Sequence, residues 1–340
     1  MPSPGTATVS PETLLTGATG FFGAFLLTEL LATTTSEVNC LVRAKDESHA
    51  RQRIRQNLLR YHRWDPSLAD RVTVTVGNLA EPRLGLDDQA WADLARRTGV
   101  IYHNGATVNH LLPLTHVEAA NVRGTETLLE LADATATRTL HYLSANAVAE
   151  GADTGYAQSK RLSERAVLAA AADGLAATVH RLPRIAPDTV TGIPNDNDIT
   201  IRLITMILQV GYAPDITFTE IWVAADVAAS AIVEAASRAD GGETYSLWSR
   251  ERVSMPFLLD VAEEAGFGLP LQPLDEWLER VHTLNASEHE VTLGVLSLDA
   301  ADLAGPADGP GDERYGELVE VPMITRPALI RYFDRCRAGF

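Results

Sequence analysis

Hydrophobic residues in the first half of the chain occur in two alternating patterns. Short continuous apolar runs, typical of buried strands, cover Thr13–Thr16, Val38–Val42, Val72–Val76, Val100–His103, Thr139–Ser144 and Ala177–Leu182. Longer stretches with helical spacing lie between them and cover Phe21–Ala32, Ala50–Tyr61, Asp88–Arg96, Val117–Ala132 and Tyr156–Ala172. Strands that alternate with helices in this way form a parallel, doubly wound sheet with right-handed crossovers. The pattern therefore predicts an α/β fold.

Beyond Pro183 the alternation is less regular. Helical spacing covers Arg202–Val210, Val227–Ala236, Pro256–Ala265, Asp275–Val281 and Pro327–Arg337. Strand-like runs cover Ile216–Ile221 and Thr244–Trp248, and the Gly-, Pro- and Asp-rich segment Ala304–Gly316 is predicted to be a loop. The second half is therefore predicted to be mostly helical.

The first predicted strand runs into three glycines with the spacing G-x-x-G-x-x-G, namely Gly17, Gly20 and Gly23, and a helix follows. In such a turn the glycines permit a tight bend, a close approach of the backbone to a pyrophosphate and close packing of helix on strand. Free N–H groups at the helix start also favour an anion. Plain turn glycines are the alternative, but the strand before and the helix after favour dinucleotide binding.

The residue that ends the second predicted strand indicates which dinucleotide is bound. This residue is Arg43, with Lys45 close behind, where a site for NAD would carry Asp or Glu. An arginine suits the additional 2′-phosphate of NADP. A surface turn of mixed charge with Asp46 and Glu47 is the alternative. We therefore predict a flexible segment over 1–11, a Rossmann-type NADP-binding domain over 12–185 and a smaller substrate-binding lobe over 186–340, with 216–250 a candidate for return to the Rossmann sheet.

Composition excludes several classes of function. The chain has 340 residues, 46% of them hydrophobic, and a net charge of −17, which argues against a nucleic-acid partner. Two cysteines give neither a disulfide framework nor a metal cluster, so we expect no metal. The N-terminus lacks the regions of a signal peptide and no apolar run is long enough to span a bilayer, so we expect a cytoplasmic protein without a membrane partner.

One predicted helix is basic within this acidic chain. It and the turn after it carry Arg51, Arg53, Arg55, Arg60 and Arg63. We interpret these arginines as a solvated helix face, with a docking face for an acidic partner as the alternative.

A Tyr and a Lys open the fifth predicted helix at positions i and i+4. Tyr156 and Lys160 therefore share one helix face. A neighbouring ammonium is expected to lower the pKa of the phenol from about 10, which would make Tyr156 an acid or base near neutral pH. On an isolated helix such a pair is more often a packed Tyr beside a solvated Lys. After a dinucleotide motif and five strands, a catalytic pair is favoured.

The glycine motif and the Tyr156/Lys160 pair together resemble the extended short-chain dehydrogenase/reductase pattern. Further motifs make the chain similar to the terminal thioester reductase domains of nonribosomal peptide and polyketide synthetases and of carboxylic acid reductases. These motifs are Phe21–Leu26, Leu41–Ala44, Leu79–Leu86, His103–His110, Asn121–Thr125, Pro183–Ile185, Thr191–Gly192, Asn195–Asp196, Trp222–Val223 and Asp226–Ala228. The resemblance extends from about residue 12 to the last helix.

This resemblance implies a role for each matching residue around bound NADPH. The pyrophosphate cradle would consist of Thr16, Gly17, Thr19, Gly20, Phe21, Phe22 and Gly23. The remaining cofactor contacts would be Arg43 with Arg53 at the 2′-phosphate, Asn78 and Leu79 at the adenine, Asn104, Gly105 and Ala106 on the ribose side, Lys160 at the nicotinamide ribose, and Pro183 to Ile185 at the carboxamide. Tyr156 would protonate the substrate oxygen, and Asn121 would have a structural role.

The resemblance also implies the reaction and the partner. Hydride transfer from NADPH to an acyl or peptidyl thioester on the phosphopantetheine arm of a carrier protein would release an aldehyde, and a second round would give an alcohol.

Two departures from the family pattern lie before Tyr156. The family's catalytic Ser or Thr position falls on Ala145, with Ser144 one residue early, and adjacent strand residues face opposite ways. Only twelve residues separate Ser144 from Tyr156, where the family usually has a longer connection. Non-redox release or condensation by a related domain, or a catalytically silent NADP(H)-binding module, are therefore the alternatives.

Overall fold

The structure, a computed structural model, describes residues 11–109, 111–217, 219–284 and 313–339. Its strands are β1 (Glu12–Thr16), β2 (Val38–Val42), β3 (Val72–Val76), β4 (Thr98–His103), β5 (Thr139–Ala145), β6 (Ala176–Leu182), β7 (Arg184–Ala186), β8 (Ala213–Pro214), β9 (Thr219–Glu220), β10 (Trp222–Ala224), β11 (Thr244–Trp248), β12 (Val253–Ser254), β13 (Leu271–Gln272) and β14 (Glu317–Glu320). Its α-helices are α1 (Phe21–Thr33), α2 (Glu47–Arg60), α3 (Asp88–Arg97), α4 (Leu114–Glu118), α5 (Gly124–Asp133), α6 (Ala147–Glu150), α7 (Gly155–Ala172), α8 (Ile199–Val210), α9 (Ala225–Arg238), α10 (Met255–Glu264), α11 (Leu274–Leu284) and α12 (Arg326–Gly339).

The main sheet has eight strands in the order β14-β11-β6-β5-β4-β1-β2-β3. Strand β1 pairs in parallel with both β2 and β4, β2 pairs with β3, and β4 pairs with β5. The predicted α/β fold with a doubly wound parallel sheet is therefore confirmed. From β1 the chain proceeds outwards to β2 and β3, and then returns to β4 on the other side of β1. Ligands of such sheets bind outside the carboxyl ends of the strands at this point of reversal.

The central strands read as continuous apolar runs because the sheet buries them on both faces. Every residue of β1 and of β2 is buried. Leu14 and Ile101 of the sheet pack in one core cluster with Leu128 of α5 and Val167 of α7. Helices cover such a sheet because strand and helix each have an apolar surface that must be removed from water.

The predicted helix over Val117–Ala132 is wrong in one respect, because α4 and α5 are joined by a π-helical turn over Ala119–Arg123. The carbonyl of Asn121, inside this turn, accepts hydrogen bonds from Thr125 Oγ1 at 2.5 Å and from Ser163 Oγ of α7 at 2.9 Å. A Cβ on Gly124 would lie 2.8 Å from the carbonyl of Leu79. The turn therefore accommodates two side-chain donors and a close backbone approach.

The chain divides into two compact units. The first takes the chain up to Ser144, then Thr154–His180 and Val233–Thr244. The second takes Ala145–Asp153, Arg181–Ile232 and the chain from Tyr245 onward, and its core includes Trp222 and Trp277, both fully buried. This division is interleaved along the sequence and differs from the predicted boundary at 185.

Two predicted elements of the second half differ from the structure or fall outside it. Within the predicted strand Ile216–Ile221, the described residues form the two-residue β9, which pairs with the equally short β12. The predicted loop Ala304–Gly316 lies outside the described residues up to 312, and a 3-10 turn covers Glu313–Tyr315.

Candidate functional site

The glycine loop joins β1 to α1 at the carboxyl end of β1. Gly17 has a φ of +77°, a conformation that side chains rarely adopt. A Cβ at Gly17 would lie 2.8 Å from the backbone nitrogen of Gly105, and one at Gly23 would lie 2.0 Å from the carbonyl of Gly17. The loop is therefore pressed against the loop after β4 and against its own helix, as the spacing of the glycines predicts.

The start of α1 fits a pyrophosphate group. Gly20 is the N-cap residue and contributes no side-chain hydrogen bond to the first turn, which Phe21 and Phe22 open. The first four N–H groups of a helix have no acceptor within the helix, and the helix dipole adds positive potential there. Gly20 is exposed and Thr19 is half-buried, so a ligand can reach these N–H groups.

The predicted adenosine side lies at the carboxyl ends of β2 and β3. Arg43 follows β2 directly and is exposed, and Arg53 of α2 donates a hydrogen bond to the carbonyl of Arg43. Asn78 accepts a hydrogen bond from the N–H of Ala80 at 3.1 Å, which fixes the turn after β3. Leu79 lies close enough to Gly105 that a Cβ there would be 2.7 Å from its methyl group. The structure thus brings Arg43 and Arg53 together. It also brings Leu79 close to the loop after β4.

The loop after β4 contains Asn104, Gly105 and Ala106 and contacts the glycine loop. The amide of Asn104 donates to the carbonyl of Gly17 at 3.4 Å, and the N–H of Gly105 donates to Thr16 Oγ1 at 2.8 Å. Asn121 anchors the same loop through both polar atoms of its side chain, which bond the N–H and the carbonyl of Thr107 at 2.7 Å and 3.1 Å. Asn121 thus holds the loop after β4 in place, which is consistent with the structural role implied for it.

A buried histidine connects the two loops. Thr125 Oγ1 donates to the carbonyl of Asn121, so it must accept from His103 Nε2, 3.0 Å away. The other ring nitrogen of His103 then accepts from Thr16 Oγ1 at 2.8 Å. Burial, with the charge of Lys160 as a smaller contribution, lowers the pKa of His103 to about 3. His103 is therefore neutral and in one tautomer.

The predicted pair Tyr156 and Lys160 lies on the first two turns of α7. Lys160 is buried, and its Nζ donates to the carbonyl of Leu143 on β5 at 2.7 Å. The same nitrogen lies 4.7 Å from the ring centre of Tyr142 and 5.9 Å from that of Tyr156. A Cβ on Gly155 would lie 2.4 Å from the carbonyl of Leu112, so the loop after β4 also packs against the start of α7. The ammonium is therefore held between two aromatic rings.

The pKa of Tyr156 differs from the expectation. Burial raises the pKa of the Tyr156 phenol to about 12, whereas a neighbouring ammonium was expected to lower it. Burial also lowers the pKa of Lys160 to about 8, partly offset by the carboxylate of Glu164. The predicted direction for Tyr156 is wrong because loss of water around the phenol outweighs a cation that faces its ring. A protonated Tyr156 is suited to donate a proton.

The residues around Ala145 are polar but buried. Ser144 is 4% exposed, and its Oγ has no hydrogen-bond partner among the described residues. Ala145 ends β5 and is half-buried. Asn146 is also buried, and its Nδ2 donates to the carbonyl of Leu247 at 3.1 Å. Both polar side chains that flank Ala145 are therefore buried.

The last predicted cofactor segment, Pro183 to Ile185, belongs to the second unit. Strand β7 begins directly after Pro183 and pairs in parallel with β10, with Ile185 opposite Val223. The contact of Pro183 and Ile185 with the cofactor stays a prediction.

Sequence reasoning missed Asn57 of α2 and the connecting role of His103. Asn57 Nδ2 donates to the carbonyls of Ala18 and Gly20 at 3.0 Å and 2.9 Å. No local pattern marks either residue, since each acts on a segment far away in the sequence.

Two further searches of the described residues were negative. No group of three or more His, Cys, Asp and Glu side chains there could hold a metal ion. No helix in the same ranges has the length and hydropathy needed to cross a membrane.

Comparisons with known proteins show which family the chain belongs to. A model of an NAD-binding family, described as "Male sterility protein", matches residues 15–154 and 149–232. The terminal R domain from the myxalamid PKS-NRPS biosynthetic pathway, whose crystal structure is known, has a TM-score of 0.84 and 30% identity, with 98% of this chain and 92% of that chain covered.

Two curated relatives are much longer than this chain. A linear gramicidin synthase protein of Brevibacillus parabrevis is 35% identical over 289 residues, which cover 79% of this chain and 6% of that protein. Isonitrile lipopeptide synthase of Streptomyces coeruleorubidus is 33% identical over 366 aligned positions, which cover 98% of this chain and 25% of that protein. The chain thus spans a quarter or less of their length.

The glycine cradle, the Tyr-Lys pair and these similarities agree on an oxidoreductase that uses a nicotinamide dinucleotide. The chain belongs to the Male sterility protein family of NAD-binding domains and, within it, to the terminal thioester reductase (R) domains of the extended short-chain dehydrogenase/reductase superfamily.

Proposed function

We propose that this domain uses NADPH to release an acyl or peptidyl chain reductively, as an aldehyde, from the phosphopantetheine thioester of a carrier protein. The observation that carries the proposal is the Tyr156/Lys160 pair, with a phenol that burial keeps protonated and a buried ammonium fixed to β5. The named relatives are synthases or part of a PKS-NRPS pathway, which supports a carrier-bound substrate.

The chain's own residues supply orientation and a proton. A reduced nicotinamide, when bound, supplies a hydride to the carbonyl carbon of the thioester. Tyr156 donates its phenolic proton to the carbonyl oxygen, which gives a hemithioacetal. The carbon–sulfur bond of the hemithioacetal then breaks while the hydroxyl proton is transferred to the sulfur. The products are an aldehyde and the carrier thiol. In this proposal Lys160 binds the nicotinamide ribose and favours proton transfer by Tyr156.

The preference for NADPH over NADH rests on the carboxyl end of β2. Arg43 and Arg53 meet there through the hydrogen bond to the Arg43 carbonyl. Guanidinium groups bind phosphate in bidentate fashion, whereas an NAD site is expected to have a carboxylate for the ribose hydroxyls.

Ala145 favours a second candidate function. Loss of one oxyanion donor typically lowers the rate by about 10²–10³, and the polar groups of Ser144 and Asn146 are buried or engaged. Non-redox release, condensation, or NADP(H) binding without turnover would each be compatible with this position.

Reductive release and the second candidate function differ in whether NADPH is oxidised at catalytic turnover. Purified protein would be incubated with NADPH or NADH and with acyl-pantetheine and carrier-bound thioesters, with NADPH oxidation followed and products identified by mass. Reductive release predicts aldehyde or alcohol at catalytic turnover with NADPH. NADPH binding without oxidation would contradict it, and Ala145→Thr would then show whether the missing hydroxyl is the cause.

A further inference from the structure

One face of α2, extended by its C-cap residue, contacts the loops that follow both β1 and β2. Arg53, Asn57 and Tyr61 are spaced four residues apart and therefore lie on one side of the helix. Arg53 bonds the carbonyl of Arg43, while Tyr61 packs edge-on against Phe21 with ring centres 5.1 Å apart. Asn57 lies between these two contacts and reaches the glycine loop.

The orientation of the Asn57 amide is determined by its partners. Its Nδ2 is 3.0 Å from the carbonyl oxygen of Ala18 and 2.9 Å from that of Gly20. An amide nitrogen has two hydrogens and can serve both carbonyls, whereas a flipped amide would place its oxygen against two oxygens. Asn57 is thus a double donor to the glycine loop.

These two bonds act where the loop is least restrained by its own sequence. Gly20 is the N-cap of α1 and has the wide backbone freedom of glycine. A carbonyl that turned towards a bound phosphate would repel it. Asn57 holds the carbonyls of Ala18 and Gly20, and the N–H of Gly20 holds that of Gly17 at 3.0 Å, so protein donors occupy these three carbonyl oxygens of the loop.

We propose that Asn57 is a positioning residue for the pyrophosphate of the dinucleotide. It holds the glycine loop in the binding conformation before the ligand arrives, so that less ordering accompanies binding. The inference rests on nicotinamide dinucleotide binding alone and not on release of an aldehyde. Because Asn57 acts on the pyrophosphate, its effect is the same for NADPH and NADH, unlike an effect of Arg43 or Arg53.

The test is Asn57→Leu, with the Kd of NADPH and of NADH measured by calorimetry. Loss of two hydrogen bonds to the loop is expected to weaken both nucleotides by about tenfold or more, by the same factor. Amide hydrogen exchange of the nucleotide-free protein is a second readout, and residues 18–24 should exchange faster in the variant. Asn57→Ala, which removes the donor without adding a charge near the pyrophosphate, should have the same effect and serves if the Leu variant does not fold.

Arg71→Met is the matched control. Arg71 donates to the carbonyls of Leu31 and Ser36 at 2.8 Å and so fastens the other end of α1, away from the glycine loop. We expect this variant to lower stability without changing either Kd. Unchanged Kd values in both Asn57 variants, or equal losses in Arg71→Met, would overturn the proposal. A wild-type protein that binds neither nucleotide would overturn the cofactor assignment as well, whereas binding without turnover would contradict only reductive release.

Discussion

Tyr156 and Tyr102 have phenols with a similarly raised pKa but different surroundings. Burial raises the pKa of each phenol to about 12. Tyr102 lies on β4 beside the ring of His141, while Tyr156 faces the buried ammonium of Lys160 at the start of α7. A raised pKa alone therefore does not indicate catalysis, since of these two tyrosines Tyr156 is the one that adjoins the ammonium of Lys160.

Tyr156→Phe tests the role of the phenol. We expect the rate of thioester reduction to fall by about 10²–10⁴, the range for removal of a general acid, with little change in the Kd of NADPH. The measurement is the initial rate of NADPH oxidation at saturating substrate, together with the Kd by calorimetry. Tyr102→Phe, which loses a buried hydroxyl outside the proposed site, should keep the wild-type rate. Similar losses in the two variants would exclude a specific role of Tyr156.

The identity of these site residues could be predicted from the sequence, but their protonation could not. The spacing of Tyr156 and Lys160 defines one helix face whatever the surroundings. The pKa of Tyr156 depends on how much water reaches the phenol, which is decided by the packing of α7 against the loop after β4. Loss of hydration therefore reversed the expected direction.

Elements make contacts that a local pattern cannot show. The arginines of α2 were predicted to form a solvated face, and Arg51, Arg55 and Arg60 are exposed. Arg51 also donates to the carbonyl of Val72 at 3.0 Å, and Arg53 donates to that of Arg43. Their partners are on β3 and at the end of β2. The elements themselves were predictable because period and length mark them, whereas their side-chain partners depend on topology.

A buried ion cluster connects three elements of the second unit. The guanidinium of Arg184, on β7, donates to Asp198 at 2.7 Å and to Glu220 of β9 at 2.8 Å. Asp198 also caps α8, and Trp222 donates to Glu220 at 2.6 Å. Burial opposes the charge on Arg184, but the two carboxylates outweigh it and raise its pKa. The cluster was not evident from the sequence, where Arg184 is part of a segment predicted to contact the cofactor.

Arg184→Met is expected to lower the free energy of unfolding by about 3–5 kcal/mol, because it leaves the buried Glu220 carboxylate without its cation. Urea unfolding followed by circular dichroism measures the loss. Arg326→Met is the control, since Arg326 also bonds two carboxylates, Asp260 and Glu264, but is 39% exposed. An exposed ion pair contributes little to stability, so this variant should be nearly neutral. Equal losses would contradict the argument from burial.

At the scale of the molecule, sequence reasoning succeeded for the sheet and not for its division into units. All six strands predicted in the first half lie in the main sheet, since strands that are covered on both faces are rich in apolar residues. The second unit instead collects Ala145–Asp153 and Arg181–Ile232 from either side of α7. Such interleaving depends on tertiary contacts, and these contacts cannot be inferred from changes in composition along the chain.

Three buried histidines make the stability of the molecule depend on pH. Burial lowers the pKa of His103, His141 and His180 to about 3, 4 and 3, from about 6.5 in an unfolded chain. The unfolded state therefore binds more protons between these values. The stability that the neutral rings confer is complete above about pH 6.5 and is lost as the pH falls towards about 4, at up to about 1.4 kcal/mol per pH unit for each ring.

The double variant His141→Leu/His180→Leu tests this contribution. His141 of β5 and His180 of β6 are buried neighbours, with Nε2 of His180 3.3 Å from Nδ1 of His141, so the two rings are replaced together. Free energies of unfolding would be measured in urea between about pH 7 and pH 4.5. We expect the free energy of unfolding of the variant to fall less over this range than that of the wild-type protein. The slopes against pH should differ by up to about 2.7 kcal/mol per pH unit, which corresponds to two protons. Carboxylates also titrate at low pH, so the difference between the two proteins is the informative quantity. His116→Gln, at an exposed position, should reproduce the wild-type slope, and an equal slope in the double variant would show that the buried pair does not control acid stability.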